Sequence, residues 1–178
     1  MGLVQGLIWL VAVLPVMVRA EGPEITTFDI SRGEEGVLLS YAVKFELPRG
    51  AEEALTKAVP LYFVAEAEVF RDRWYWRDQR VAQASRQWRI VYQPLTLTYR
   101  VTFGGLSQTY SNRTEALASI SRNSRWKIVD PGGADDGGKH YVEFSFRLDT
   151  SLLPRPMQIG ISGQPDWMLS VEKVQRFN

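Results

Sequence analysis

Apolar and polar residues alternate along much of the chain with a period of two positions. In residues 61–70 every odd position is apolar, and in residues 140–148 the apolar side chains occupy even positions from Val142 to Leu148. The same alternation runs through residues 37–47 and 95–103. It predicts strands with one face on a core and one face in water, as in antiparallel sheets. Further strands are predicted at residues 24–31, 81–92, 126–129, 157–161 and 168–176.

Two short segments predict helices. Residues 51–59 contain good helix formers and are followed by Pro60, and residues 115–120 place apolar side chains on one face. Asn112 precedes Glu115 at the spacing of a capping box, which indicates the start of the second helix. Eight or nine strands with two short helices predict an all-β, mainly antiparallel fold, either a β-sandwich or a strongly curved sheet. An up-and-down barrel is the alternative.

A proline-containing segment predicts a rigid corner between two strands. Asp149 or Thr150 can accept a hydrogen bond at the start of one helical turn at residues 151–153. Pro154 and Pro156 then favour extended backbone for the residues that precede them. We expect a structural corner here rather than a loop that binds a ligand.

The beginning of the chain has the composition of an export signal. Residues 2–18 contain no charged side chain, and residues 18–20 (Val-Arg-Ala) approximate the small-x-small pattern of a cleavage site. No Lys or Arg precedes the apolar run. We expect a signal peptide at residues 1–20, cleaved after Ala20, with an uncleaved N-terminal anchor as the alternative. Residues 21–178 would then form one β-rich domain in the periplasm.

The composition excludes several kinds of site. The 178 residues include no cysteine and one histidine, His140, so disulfides, thiolate metal sites and multi-histidine sites are excluded. Without Arg19 the chain has 20 basic and 20 acidic residues, a balance that argues against bulk binding of nucleic acid. Asp130, Asp135 and Asp136 lie in a glycine-rich loop, but their spacing does not match that of a calcium-binding loop. We therefore expect neither a metal nor a cofactor.

Residues 70–80 form an unusual stretch in which arginines and aromatic residues are interleaved. Residues 71–100 hold 7 basic and 2 acidic side chains, whereas residues 21–70 hold 4 basic and 10 acidic ones. Two tryptophans with arginines suit stacking on sugars, contact with anionic lipid head groups or binding of a partner protein. Packing within the fold is the structural alternative. The predicted binding residues are Arg71, Arg73, Trp74, Trp76 and Arg77.

The same stretch connects two predicted strands that would pair as a hairpin. Residues 61–70 would lie beside residues 81–92, and a register that sets Glu66 opposite Arg86 would explain an arginine within an otherwise apolar row. We therefore predict that Glu66 and Arg86 form a structural pair. Arg86 is expected to lie within salt-bridge distance of Glu66 or Glu68.

Catalytic chemistry has little support in the sequence. Glu66 and Glu68 could form the carboxylate pair of a glycosidase, although such a pair on one strand more often belongs to a solvated face balanced by arginines. The serines lack a Gly-x-Ser-x-Gly elbow. His140 opens a predicted strand beside Lys139 and is expected to face solvent. Without a nucleophile and base at suitable spacing, we expect that the protein is not an enzyme.

Several stretches, taken in order, resemble one protein family. They are residues 59–64 (VPLYFV), 73–76 (RWYW), 85–90 (SRQWRI), 99–101 (YRV), 147–156 (RLDTSLLPRP) and 166–167 (DW). This ordered set is similar to a proteobacterial family of exported domains of unknown function, the one numbered 4390. The resemblance implies export and genes that often lie beside a sensor histidine kinase of the nitrogen-regulation type. It implies no activity, cofactor or catalytic residue.

These observations together predict a function class. We expect a periplasmic, non-catalytic interaction domain whose partner is a membrane-embedded sensor kinase or another envelope protein. A carbohydrate- or envelope-binding module that uses the same tryptophans is the first alternative, and a glycosidase-like enzyme is the second. Contact with a membrane is expected only through an uncleaved leader.

Overall fold

A computed structural model of the chain describes residues 22–73, 77–134, 138–161 and 163–177. In these ranges the strands are β1 (Glu24–Gly33), β2 (Gly36–Lys44), β3 (Leu61–Arg71), β4 (Gln79–Gln93), β5 (Thr98–Phe103), β6 (Leu106–Tyr110), β7 (Arg122–Val129), β8 (His140–Leu148) and β9 (Ser170–Phe177). One sheet has the order β1-β2-β7, and the other has the order β6-β5-β4-β3-β8-β9. All the pairings are antiparallel, so the predicted all-β class is confirmed.

Short helices occupy the connections. They are α1 (Arg49–Thr56), α2 (Arg113–Ser121) and α3 (Arg155–Ile161), with single 3₁₀ turns at Thr150–Leu152 and Pro165–Trp167. The starts of two of these elements follow the sequence prediction. The Asn112 side chain accepts a hydrogen bond from the Glu115 N–H at 2.8 Å, and the Asp149 side chain accepts one from the Ser151 N–H at 3.0 Å. Both caps satisfy a backbone donor that the helix geometry leaves unpaired.

The core lies between the two sheets. The odd residues of β3 from Leu61 to Val69 are all 0 % exposed, as the alternation predicts. The sheets meet through aromatic rings, since the Phe144 ring lies 5.4 Å from the Phe28 ring and 4.6 Å from the Tyr41 ring. Burial of such large apolar surfaces is the main favourable contribution to folding.

Helix α1 is fixed against the core at one end of the sandwich. Its buried residues are Ala51, Ala54 and Leu55. A Cβ atom at Gly50 would lie 2.3 Å from Nε1 of Trp167, so only glycine permits this close approach. The indole of Trp167 thereby attaches the Pro165–Trp167 turn to the helix.

Two secondary-structure predictions are wrong, and one strand was not predicted. Residues 157–161 belong to helix α3 rather than to a strand, because Pro154 and Pro156 stand at its start, where missing N–H groups cost nothing. Residues 95–97 form a turn after Pro94, and β5 begins only at Thr98. Strand β6 was not predicted, since its sequence, LSQTY, has no apolar alternation.

The predicted register of the hairpin is also wrong. Glu66 pairs with Ser85, and Arg86 pairs with Ala65. A shift of one residue moves a whole strand's side chains to the other face. Trp88 and Ile90, which are buried, require the face that they share with Arg86 to point inward. Burial of these apolar side chains outweighs a single ion pair, so Arg86 faces the core.

The predicted pair of Glu66 and Arg86 therefore does not exist. Glu66 accepts a hydrogen bond from Arg147 at 2.7 Å, and Glu68 accepts one from Arg80 at 2.6 Å. Arg86 instead donates to Oδ1 of Asn123 at 3.0 Å. Its guanidinium carbon lies 5.3 Å from the ring centroid of Phe103 and 5.3 Å from that of Trp126. These rings hold the cation at the junction of the two sheets.

The antiparallel order gives the sandwich two distinct ends. At one end, Arg71 pairs with His140, and Arg32 lies 5.9 Å from the ring centroid of Phe177. The first residues of β1, helix α1, the β4–β5 turn and residues 149–169 lie at the opposite end. Phe45, just after β2, fixes the sheets in this orientation because its ring lies 5.5 Å from that of Phe63 at the start of β3.

Candidate functional site

The β3–β4 connection brings a group of arginines to one end of the sandwich. We call this group, Arg71, Arg73, Arg77, Arg80 and Arg176, the arginine end. The first three were predicted as binding residues, whereas Arg80 and Arg176 are added by the pairing of β4 and β9 with the central strands. The other predicted binding residues, Trp74 and Trp76, lie outside the described residues.

Asp78 organises the described part of this connection. Its carboxylate accepts a hydrogen bond from the Arg73 N–H at 3.1 Å and another from the Tyr141 hydroxyl at 2.8 Å. These two bonds lower the pKa of Asp78 below its ordinary value. Burial and the bond to Asp78 raise the pKa of Tyr141 to about 12. The Tyr141 ring stacks on Phe70 at 5.3 Å, so the connection is tied to β8 as well as to β3.

The arginines at this end differ in whether a carboxylate neutralises their charge. Arg80 pairs with Glu68 at 2.6 Å, and Arg176 pairs with Asp72 at 3.7 Å. The Arg73 guanidinium donates to the uncharged side chain of Gln79. Arg77 is exposed, and within the described ranges no carboxylate lies in ion-pair distance of it. Arg73 and Arg77 therefore retain positive charge that an external anionic group could neutralise.

Arg71 lies beside His140, whose solvent exposure was predicted wrongly from the sequence. His140 was expected to face solvent, but it is 1 % exposed and its ring stacks on Phe177 at 5.8 Å. Its even position puts it on the same face of β8 as Val142, which explains the burial. A Cβ atom at Gly138 would lie 3.2 Å from Cε1 of His140 and 3.3 Å from Nε of Arg71. The chain thus passes closely over both side chains.

Carboxylates occupy the adjoining outer face of the larger sheet. Glu68 lies directly opposite Glu143, and both line a shallow depression of about 360 Å³ together with Glu66 and Glu172. Arginines form ion pairs with two of these four carboxylates, Glu66 and Glu68. In a glycosidase one carboxyl group must donate a proton and the other must act as base or nucleophile. Both Glu66 and Glu68 are held by hydrogen bonds from arginines, so these carboxylates are engaged in ion pairs of the fold rather than directed at an open cleft.

No cluster of three or more metal-ligating side chains occurs within the described ranges. Of the aspartates weighed for calcium, Asp130 forms an ion pair with Lys127 at 2.8 Å. Asp135 and Asp136 lie outside the described residues.

A second concavity lies at the opposite end of the sandwich. A groove of about 620 Å³ runs between residues 42–47 and helix α2. Glu52 of α1 and Arg113 of α2 form an ion pair at its edge. Its lining is mixed, with Leu47 and Leu117 beside Lys44 and Arg122. Sequence patterns gave no signal for it, because its walls are distant in the chain and meet only through the packing of α2 on β2.

Of the three comparisons with known proteins, one gives a family match. The family model described as Domain of unknown function (DUF4390) matches residues 20–178. No curated protein matches the chain, and no solved structure matches it. Among the described residues, no helix is sufficiently long and apolar to cross a membrane.

Proposed function

We propose that this chain, which belongs to the DUF4390 family of domains of unknown function, is an exported, non-catalytic domain that binds a partner protein through its arginine end. The periplasm is its proposed location, reached by way of the apolar leader at residues 1–20. The extracytoplasmic part of a membrane sensor kinase is the first proposed partner, and another envelope protein is the second.

This proposal rests on the difference between the arginines that have a carboxylate partner and those that have none. Arg80 and Arg176 have carboxylate partners, whereas Arg77 and the guanidinium of Arg73 have none among the described residues. Asp78 holds the backbone of Arg73 and Gln79 accepts a hydrogen bond from its guanidinium, so both parts of this residue are held before a partner arrives. Arginines held in this way are common anchors of protein interfaces, and they select acidic segments of the partner.

Recovery of the partner from envelope extracts tests the assignment of the surface. The double variant Arg73→Ala with Arg77→Ala should lower recovery by about tenfold or more, because both arginines would contact the partner. Arg100→Ala is the matched control, since it removes an exposed arginine from β5, away from this end. Equal recovery with the double variant and with the control would exclude the arginine end as the contact.

The tryptophans distinguish this proposal from a carbohydrate-binding module. Trp74→Ala and Trp76→Ala should reduce recovery of a protein partner further, and peptidoglycan should leave the tryptophan fluorescence of the parent chain unchanged. A saturable fluorescence change with peptidoglycan that both variants abolish would favour the carbohydrate module instead.

Mass spectrometry of the chain from a periplasmic extract tests the export step separately. A mature chain that begins at Glu21 would support cleavage after Ala20. A chain that begins at Met1 would support the retained anchor.

A further inference from the structure

Exposed apolar side chains are concentrated at the end of the sandwich opposite the arginine end. We call the following five residues the leucine end: Leu95 (100 % exposed), Leu97 (67 %), Leu152 (45 %), Ile159 (87 %) and Met168 (69 %). Elsewhere in the described ranges the exposed large apolar side chains are Phe103, Leu106 and Val174. Single exposed apolar residues are ordinary, but several at one end of a molecule mark an interaction surface.

Backbone pairing brings the members of the leucine end to the same end of the sandwich. Leu95 and Leu97 lie in the turn after β4, beyond the point where Ile90 pairs with Leu61. The segment that contains Leu152 and Ile159 leaves the sheet where the Asp149 N–H donates to the Tyr62 carbonyl at 2.7 Å. It returns beside Met168, where the Leu148 N–H donates to the Leu169 carbonyl at 2.9 Å.

The turn that carries the first two leucines has an unusual backbone. Leu97 has φ +55°, a left-handed conformation in which glycine or asparagine is typical. A turn that served only to reverse the chain would be relieved of this strain by either residue. Here the strained position carries an apolar side chain that points into solvent, and strain of this kind is characteristic of functional surfaces.

The chain enters the fold at this same end. Glu24 pairs with Lys44, and Gly22 is the first described residue. The apolar leader run ends at Val18, four residue steps before Gly22, and these steps span at most about 14 Å. A leader that is inserted in a bilayer would therefore hold Gly22, and with it the end of the sandwich at which β1 begins, within that distance of the lipid surface.

The charges near the leucine end do not favour one class of lipid. Arg155 lies close to its members in the chain, but so do Asp149 and Asp166. A mixture of signs gives little net attraction to anionic head groups. Contact with lipid would therefore depend on burial of the apolar side chains and would change little with salt.

From these observations we propose that the leucine end docks on the surface of the lipid bilayer. This inference rests on the proposed export and on the alternative in which the leader is retained as an anchor, and it orients the domain. Strand β4 has 15 residues. A strand of that length spans about 50 Å, so the arginine end would face away from the membrane toward its partner.

Single-cysteine labelling tests the orientation in the full chain, because the sequence contains no cysteine. The full chain with its leader is reconstituted in phosphatidylcholine vesicles, and an environment-sensitive fluorophore is attached at Leu97→Cys or Ile159→Cys. Leu106→Cys and Val174→Cys are the matched controls, since these apolar residues are 80 % and 63 % exposed but lie outside the leucine end. Near-ultraviolet circular dichroism checks that each variant is folded.

The fluorescence emission of labels at Leu97 and Ile159 should shift to shorter wavelength with vesicles and be quenched by spin-labelled lipid. The emission of the control labels should stay as it is in water. Added salt should not reverse the shift, and Leu95→Ser with Leu97→Ser should abolish it at Ile159. Water-like spectra at all four positions would overturn the proposal, as would equal quenching at the controls. A shift that needs an added envelope protein rather than lipid would assign this end to a protein partner instead. None of these readouts uses the arginine variants, so a failure here is distinguishable from a failure of the proposed partner contact.

Discussion

The two faces of the six-stranded sheet are built from the same strands but differ in burial and chemistry. On the inner face, Phe63 and Phe146 are fully buried, and their rings stack at 5.9 Å. On the outer face, Glu66 and Arg147 occupy neighbouring positions of the same two strands, with 35 % and 37 % of their side-chain surface exposed. The alternation of a strand thus separates a dry layer from a charged layer within the thickness of one sheet.

Two arginines of β4 have different partners because they lie on different faces of the sheet. Arg80 pairs with Glu68 at the surface, whereas Arg86 lies between two aromatic rings at the junction of the sheets. Burial lowers the pKa of Arg86, and in the part of the chain that the structure describes no carboxylate pairs with it. The face on which a residue lies, rather than its type, therefore decides what its interactions contribute to stability.

Phenylalanines on opposite faces of the sheet should give the largest contrast. Phe146→Ala leaves a cavity in the core and should lower the free energy of unfolding by about 3–5 kcal/mol. Phe70→Ala removes the same atoms from the outer face, where mainly the stacking on Tyr141 is lost, and should cost about 1 kcal/mol. Urea unfolding of the two variants measures both values. Equal losses would show that the outer face is covered in solution.

The two arginines should give the next contrast. Arg86→Ala removes contacts with two rings and leaves Oδ1 of Asn123 without its donor, which should cost about 1–3 kcal/mol. Arg86→Lys should recover little of this loss, because an ammonium group lacks the planar face that packs between rings. Arg80→Ala, the surface control, should cost less than about 1 kcal/mol. A small effect of Arg86→Ala would mean that water replaces the guanidinium without loss.

An ion pair on the outer face should have a smaller effect. Single and double replacements of Glu66 and Arg147 by alanine form a thermodynamic cycle whose coupling energy we expect to be about 0.5 kcal/mol. Both side chains are partly exposed, so solvent screens their attraction. High salt should reduce the coupling further. A coupling well above 1 kcal/mol would place this pair in a drier environment than the structure shows.

The ionisation of two tyrosines should leave the free energy of unfolding unchanged at neutral pH and lower it in alkali. Burial raises the pKa of Tyr41, partly opposed by the charge of Arg86, and burial with the Asp78 bond raises that of Tyr141 to about 12. Both folded values lie above the ordinary value of 10.0, which applies to the unfolded chain. Their contribution to stability is therefore complete below about pH 10 and is lost as the pH rises through the folded values.

The expected result is a free energy of unfolding that falls above about pH 10. Tyr41→Phe should reduce this fall more than Tyr141→Phe, because Tyr41 is in the core and Tyr141 is near the surface. Denaturant unfolding at several alkaline pH values, with tyrosinate absorbance as a second readout, measures the change. An unchanged pH profile in Tyr41→Phe would show that this hydroxyl reaches water in the folded protein.

Much of the fold was predictable because its signals are local. The period of two located the buried odd residues of β3, and the caps at Asn112 and Asp149 depend on residues two or three positions away. Residues 157–161 were misassigned because a short alternating run does not distinguish a strand from a helix. The preceding prolines are the local signal that could have corrected this prediction.

The candidate site was predictable only in part. The sequence located Arg71, Arg73 and Arg77, but it did not include Arg176, which arrives from the far end of the chain. It also assigned Arg86 to the wrong partner, because charge pairing was given more weight than the shared face of Trp88 and Ile90. No sequence pattern indicated the leucine end, because Leu95 and Leu97 matched the pattern of a half-buried strand.

Sequence patterns alone were sufficient to predict the antiparallel β class, the helix caps and the positions of the unusual arginines, because these depend on periodicity and on neighbours within a few residues. The hairpin register, the burial of His140 and Arg86, and the separation of the arginine end from the leucine end became known only from the three-dimensional fold. Each of these depends on which distant strands meet. That choice is made by the sum of many buried apolar contacts, which no single segment contains.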